Sequence, residues 1–132
     1  MRATQKAVNQ VFLNDDGIIH GVYHGPQNAE GLVSMMDRIM KIMKIMIQND
    51  KPVLLMMDIR DLGEYNQAAR LVEMHARTIL PFWKMAFVTT LKHPEQEQVS
   101  RRLTSMSGRR KEIRYFIRED DAAAWLSLML NN

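Results

Sequence analysis

The chain has no cysteine, which excludes disulfides, thiolate catalysis and cysteine-based zinc sites. It has no apolar run approaching the ~20 residues of a spanning helix, so no transmembrane segment is expected. The opening MRATQKAVNQ lacks the apolar stretch of a secretory leader, and a soluble cytoplasmic protein is the expectation. Glycine is scarce, at six residues, and none forms a GxGxxG fingerprint, a Walker-type loop or a nucleophile elbow. No nucleophile is paired with a base at a recognisable spacing. These absences point to a protein that is not an enzyme and carries no cofactor. Aromatic residues make up 7% of the chain, and none interleaves with the cations of RRLTSMSGRR, residues 101 to 110. The longer run to Arg114 therefore reads as a solvated helix end rather than a nucleic-acid site. The net charge of +3 is too mild to argue otherwise.

What is present is an ordinary globular composition, 46% hydrophobic and 25% charged in 132 residues. One domain with a sizeable core is expected. VNQVFL, residues 8 to 13, reads as a strand, followed by a turn at Asp16-Gly17 and a second strand over 18 to 24. Gly25-Pro26 breaks that strand. A helix is predicted from about Asn28 to Asn49. VLLMMDI, residues 53 to 59, is apolar almost throughout, as expected of a strand covered on both faces. RDLGEY reads as a loop into a second helix, about Asn66 to Leu80. A further buried strand spans 84 to 90. Pro94 opens a third helix that Gly108 ends. EIRYFI, residues 112 to 117, is the last strand, and Asp120 caps a final helix. The order ββαβαβαβα predicts an α/β fold: a five-stranded, mixed but mostly parallel sheet covered by about four helices.

The first helix holds the unusual segment MMDRIMKIMKIMI, residues 35 to 47. On a helical wheel Asp37, Lys41, Lys44 and Gln48 share one narrow face. Leu32, Met35, Met36, Ile39, Met40, Ile42, Met43, Met46 and Ile47 fill an opposite arc roughly 160° wide, beyond the ~100° a core-facing stripe needs. A membrane-surface helix would carry more cations and an aromatic anchor. The segment therefore reads as a core helix whose surplus edge makes a hydrophobic contact. Met36, Met40, Met43 and Ile47 are assigned to that contact, with a partner, a second copy or an apolar cavity.

Polar candidates gather where ligands collect in α/β sheets, beyond the carboxyl ends of parallel strands. The loop MDIRDLGEYN supplies Asp58, Arg60, Asp61, Glu64, Tyr65 and Asn66. The next strand end supplies Thr89, Thr90, Lys92 and His93. On the second helix Ala68, Leu71, Val72, Ala76 and Ile79 form the apolar face, and His75 lies within it. It reads as a hydrogen-bonded histidine at the helix–sheet junction or a polar group inside a pocket. His20 and His24, at i, i+4 on one strand, would stand ~13 Å apart, too far to share a metal ion.

KPVLLMMDIRDLGEYN and IRYFIREDDAAAWL, set in this element order, resemble the SpoIIAA-like branch of the STAS-type domains. The resemblance covers nearly the whole chain. It implies a fold related to CRAL-TRIO lipid-binding domains and a regulatory or binding role, with a protein partner or homodimer as the expected associate. A small apolar or anionic ligand in a CRAL-TRIO-like pocket is the alternative. STAS domains that antagonise anti-sigma factors carry a phosphorylatable serine where this chain has Asn66-Gln67-Ala68-Ala69. No hydroxyl stands there, so the resemblance does not extend to that phospho-switch.

Overall fold

A computed structural model describes residues 8–130. The reading of the leader rests mostly on residues 1–7 and lies outside them. The main sheet has five strands: β1 (Gln10–Leu13), β2 (Ile19–Val22), β4 (Leu54–Asp58), β6 (Lys84–Val88) and β7 (Ile113–Phe116). They lie in the order β1-β2-β4-β6-β7. β1 pairs antiparallel with β2 through the turn at Gly17, whose φ is +83°. The other neighbours are parallel, with Leu55 opposite Ile19 on one side and Met85 on the other. This is the expected mixed, mostly parallel sheet.

Each parallel step requires a crossover. The helices that supply them are α1 (Ala29–Gln48), α2 (Gln67–Ile79) and α3 (Pro94–Ser107), and α4 (Glu119–Ser127) closes the chain. The central strands send alternate residues to opposite faces. Leu55, Met57, Met85 and Phe87 join the core that packs against α1, α2 and α3. Leu54, Met56, Ala86 and Val88 meet Ala122 and Leu126 of α4 on the other face. Three helices therefore cover one face and one covers the other, which explains why β4 and β6 are apolar almost throughout.

Helix boundaries follow their capping chemistry. The Asn28 side chain accepts from the Gly31 N–H at 2.8 Å, and Asn66 does the same for Ala69. Gly108 takes the left-handed conformation, φ +76°, just past α3. Asp120 is a correction: it lies inside the first turn of α4, whose N-cap is Arg118, and no side chain caps that end. Glu119, Asp120 and Asp121 instead complement the positive end of the helix dipole.

Two further corrections concern residues 23 to 65. The second strand stops at Val22, and Gly25-Pro26 does not simply break it. Gly25–Gln27 forms a short strand, β3, parallel to β5 (Leu62–Tyr65) in a separate two-stranded sheet. The segment RDLGEY, expected as a loop, thus holds a strand. Gly63 permits the pairing. A Cβ there would lie 2.7 Å from the Pro26 nitrogen and 2.8 Å from the Gly25 carbonyl carbon. Both are backbone atoms in a paired strand and cannot swing aside. A Cβ at Gly21 would meet Met57 Sδ at 2.8 Å and Met35 Cε at 2.9 Å, the ends of flexible chains. Gly63→Ala should therefore cost at least about 2 kcal/mol in urea denaturation, and Gly21→Ala clearly less. Equal costs would mean that the two strands tolerate separation.

Candidate functional site

The expected polar loop is built as a set of internal contacts. Asp58, at the end of β4, accepts from Arg60 Nη2 at 2.7 Å, from Nε at 2.9 Å and from the Arg60 backbone N–H at 3.0 Å. Partial burial raises the Asp58 pKa, but these hydrogen bonds and the guanidinium charge outweigh it, so the net shift is downward. Arg60 also reaches Glu119 at 3.5 Å, tying the loop to the start of α4. Asp61 faces His24 at 3.1 Å. Asn66 is occupied as the α2 cap. Thr90 Oγ1 accepts from the Lys92 N–H at 3.3 Å. Tyr65 is buried, with no hydrogen-bond partner for its hydroxyl among the described residues. Asp58, Arg60, Asp61, Asn66 and Thr90 are thus already engaged with neighbours.

The largest departure from expectation is the orientation of α2. Only part of its predicted apolar face meets the core: Ala76 is buried there and Val72 packs half-buried against it. Leu71 and Ile79 are 61% and 59% exposed, and Ala68 and His75 are exposed as well. Ala69, Glu73 and Arg77 are buried beside Ala76 in place of Ala68, Leu71 and Ile79, with Glu73 and Arg77 each 1% exposed. The helix thus turns a charged pair inward and an apolar stripe outward.

A polar layer beneath α2 makes this possible. Arg77 Nε donates to Glu73 Oε2 at 2.9 Å, one helical turn away. Nη1 donates to the Ser100 carbonyl and to Thr104 Oγ1, and Nη2 donates to Ser100 Oγ. The Tyr23 hydroxyl donates to the other Glu73 oxygen at 2.6 Å. Tyr115 closes the network through Ser100 and Thr104 at 2.8 and 2.9 Å. The guanidinium also lies 4.4 Å from the Phe87 ring centroid. Burial penalises the Arg77 charge most, but Glu73 together with the Tyr65, Tyr115 and Tyr23 side chains outweighs it, and the pKa is raised. Burial first, then Glu73, pushes both the Tyr23 and Tyr65 hydroxyls up, so both stay protonated. Nearly every charge-bearing atom of the pair has a partner, as burying two ions requires.

The buried face of α3 matches this layer: Ser100, Leu103, Thr104 and Ser107 recur at i, i+3, i+4, i+7. That hydroxyl stripe, together with Glu73 and Arg77 at i, i+4, was the sequence signal for the true inner face of α2. His75 is corrected accordingly. It is not at the helix–sheet junction but on the outside, because α2 is rotated.

The outward stripe of α2 forms a ridge between two apolar grooves. The α1–α2 groove, about 320 Å³, is lined by Val33, Met36, Met40, Val72, His75 and Ile79, with Asp37 at its rim. The α2–α3 groove, about 250 Å³, is lined by Leu71, Met74, Val99, Leu103 and Met106, with Gln67, Arg70 and Arg102 around them. The methionine-rich edge of α1 therefore divides. Met36 and Met40 face the groove. Met43 is a correction, being fully buried in the core beside Met35 and Ile39. Ile47, 49% exposed, lies beyond the groove's lining.

The remaining motifs have structural partners. His20 is buried, stacked on Phe12 at 5.1 Å, while His24 belongs to the Asp61 contact. In the basic run, Arg101 pairs with Glu97 and covers Tyr115. Arg109 donates to the Leu80 and Phe82 carbonyls at 3.0 and 2.7 Å, holding the chain just past α2.

No family model and no curated protein matches this chain. Among solved structures it is similar to an uncharacterised protein of the DUF3478 family from Shewanella loihica PV-4, described as having a SpoIIAA-like fold. The two are 15% identical, the match covers 96% of this chain and 98% of that one, and the TM-score is 0.63. The chain therefore has a SpoIIAA-like fold. Among the described residues no helix is long and apolar enough to cross a membrane.

Proposed function

We propose, on the premise of the SpoIIAA-like fold, that this is a non-enzymatic binding domain that docks a protein through the outer face of α2 and its flanking grooves. The observation that carries the reading is the rotated helix, which leaves Leu71 and Ile79 outside. Burying a leucine or isoleucine side chain is worth ~1.5–3 kcal/mol, yet Leu71 and Ile79 are held out in water while an ion pair occupies the interior. The exposed stripe continues into apolar grooves on both sides rather than standing alone. The polar loop at the strand ends, by contrast, spends its charges on itself, which favours an interaction surface over a catalytic centre.

Carriage of a small apolar ligand is the second reading, favoured by the α1–α2 groove with Met36, Met40, Val72 and His75. Carrier pockets bury ~70–90% of their ligand in ~300–1,000 Å³. The two grooves, at about 320 and 250 Å³, are small and open along one side, a shape suited to a partner's side chains. The test is Leu71→Gln with Ile79→Gln. A partner retained by the wild type, once purified, should bind the double variant far more weakly, or the wild type's self-association in sedimentation equilibrium should be lost. Unchanged binding in both assays would remove this face from the function.

A further inference from the structure

The two walls of the α2–α3 groove carry the same pattern. Gln67, Arg70, Leu71 and Met74 line it from α2, and Val99, Arg102, Leu103 and Met106 line it from α3. Both sets fall at i, i+3, i+4, i+7, so each helix offers one two-turn stripe. Each stripe spans ~10 Å at 1.5 Å per residue. The second position of each is arginine. Neither Arg70 nor Arg102 has a salt bridge or side-chain hydrogen bond among the described residues, although the neighbouring Arg101 is paired with Glu97. The groove's lining contains no acidic residue. An apolar floor walled by two helices and flanked by two unpaired cations is the complement of an amphipathic helix with acidic flanks.

We propose that the α2–α3 groove receives an acidic amphipathic helix of a partner protein. Apolar side chains of that helix pack on Leu71, Met74, Val99 and Met106, over a floor closed by the buried Leu103, and its carboxylates pair with Arg70 and Arg102. Docking of a helix into a groove uses i, i+3, i+4 and i+7 anchors, and the groove presents that spacing from both sides. Met74 and Met106 have flexible thioether chains that adjust to the incoming surface. The α1–α2 groove is the poorer site for such a partner because Asp37 stands at its rim. The proposal rests on the outer face of α2 being a docking surface and adds the chemistry of what docks.

The probe is a fluorescein-labelled peptide, about 18 residues long so that it can hold a helix, with leucines along one face and glutamates flanking them. Its control has lysine in place of every glutamate. Anisotropy titration of the full chain should show the acidic peptide binding and the basic one binding at least about tenfold more weakly, a difference of about 1.4 kcal/mol. Raising salt from 0.1 to 1 M should weaken the acidic peptide, because screening tightens from ~10 to ~3 Å. Arg70→Glu with Arg102→Glu should reverse the preference, with thermal melts confirming that the variant is folded. Arg70→Gln with Arg102→Gln, which adds no repulsion, should level it. Leu71→Gln separates the two layers of argument. Equal binding of both peptides that Leu71→Gln abolishes keeps the docking face and overturns its acidic partner. No binding of either peptide overturns the proposal, and a dimer in sedimentation would then assign the groove to a second copy. Binding to vesicles containing phosphatidylglycerol but not to the acidic peptide overturns it in favour of a membrane surface.

Discussion

Arg77→Met should destabilise the protein by about 3–5 kcal/mol, the cost of leaving a buried carboxylate without its counter-ion. For a chain of this size that is a fall of roughly 11–18 °C in melting temperature. Methionine fills much of the space, so the effect isolates charge and hydrogen bonding rather than a void. Glu73 would keep only the Tyr23 hydroxyl, and Ser100 and Thr104 would lose a common donor. Glu73→Leu with Arg77→Met should be distinctly less damaging than the sum of the two single changes. The pair then leaves together, and Ser100 and Thr104 still bond Tyr115. A coupling of at least about 2 kcal/mol is expected from the double-mutant cycle in urea. A loss below about 1 kcal/mol for Arg77→Met would place that side chain in water and α2 in another orientation.

Leu71→Gln with Ile79→Gln should have the opposite profile, with little effect on stability and a large one on binding. Glutamine is a good helix former, and substitutions at exposed positions usually stay within about 0.5 kcal/mol each. Were these residues in the core, as their periodicity alone suggests, removing either would cost ~2–5 kcal/mol. At the centre of a docking face each would be worth ~2 kcal/mol or more to a partner, ~4 kcal/mol together, so the double change should weaken binding by roughly 700-fold. An unfolding midpoint that falls steeply would show that the stripe is packed inside. A midpoint and a partner affinity that both stay unchanged would show an exposed stripe with no partner on it.

The two profiles explain which parts of this fold were legible in the sequence. β4 and β6 announced themselves because both their faces are covered, which leaves no polar alternation. Asn28, Asn66 and Gly108 marked helix ends because capping chemistry is local. β5 did not, because Leu62–Tyr65 is held by close backbone approach at Gly63, which depends on Gly25 and Pro26 far away in the chain. The face of α2 was read correctly at Val72 and Ala76 but misread at Ala68, Leu71 and Ile79, for a stronger reason. Hydrophobic periodicity assumes that the apolar side of a helix is the inner side. That assumption fails where a charged pair finds partners inside, here Tyr23 from the β2–β3 connection and Ser100 and Thr104 from α3. The polar loop was correctly located at the strand ends. Its residues were assigned to a partner because sequence does not reveal that Asp58 already holds Arg60 and that Asn66 already caps α2. The methionine-rich helix was read correctly as core, and only its edge at Met36 and Met40 belongs to the surface groove.

The inward charge and outward apolar stripe of α2 can be tested directly because the chain has no cysteine of its own. Leu71→Cys and Ala69→Cys place single thiols two residues apart on opposite sides of the helix. Thiol labelling of the native protein, at concentrations low enough to exclude self-association, should modify the Leu71 position at nearly the rate of a free thiol. The Ala69 position, fully buried, should react orders of magnitude more slowly, at the rate of opening of the helix. Fast labelling at Ala69 with protection at Leu71 would contradict the account, because the apolar stripe would then face the core and no docking surface would exist.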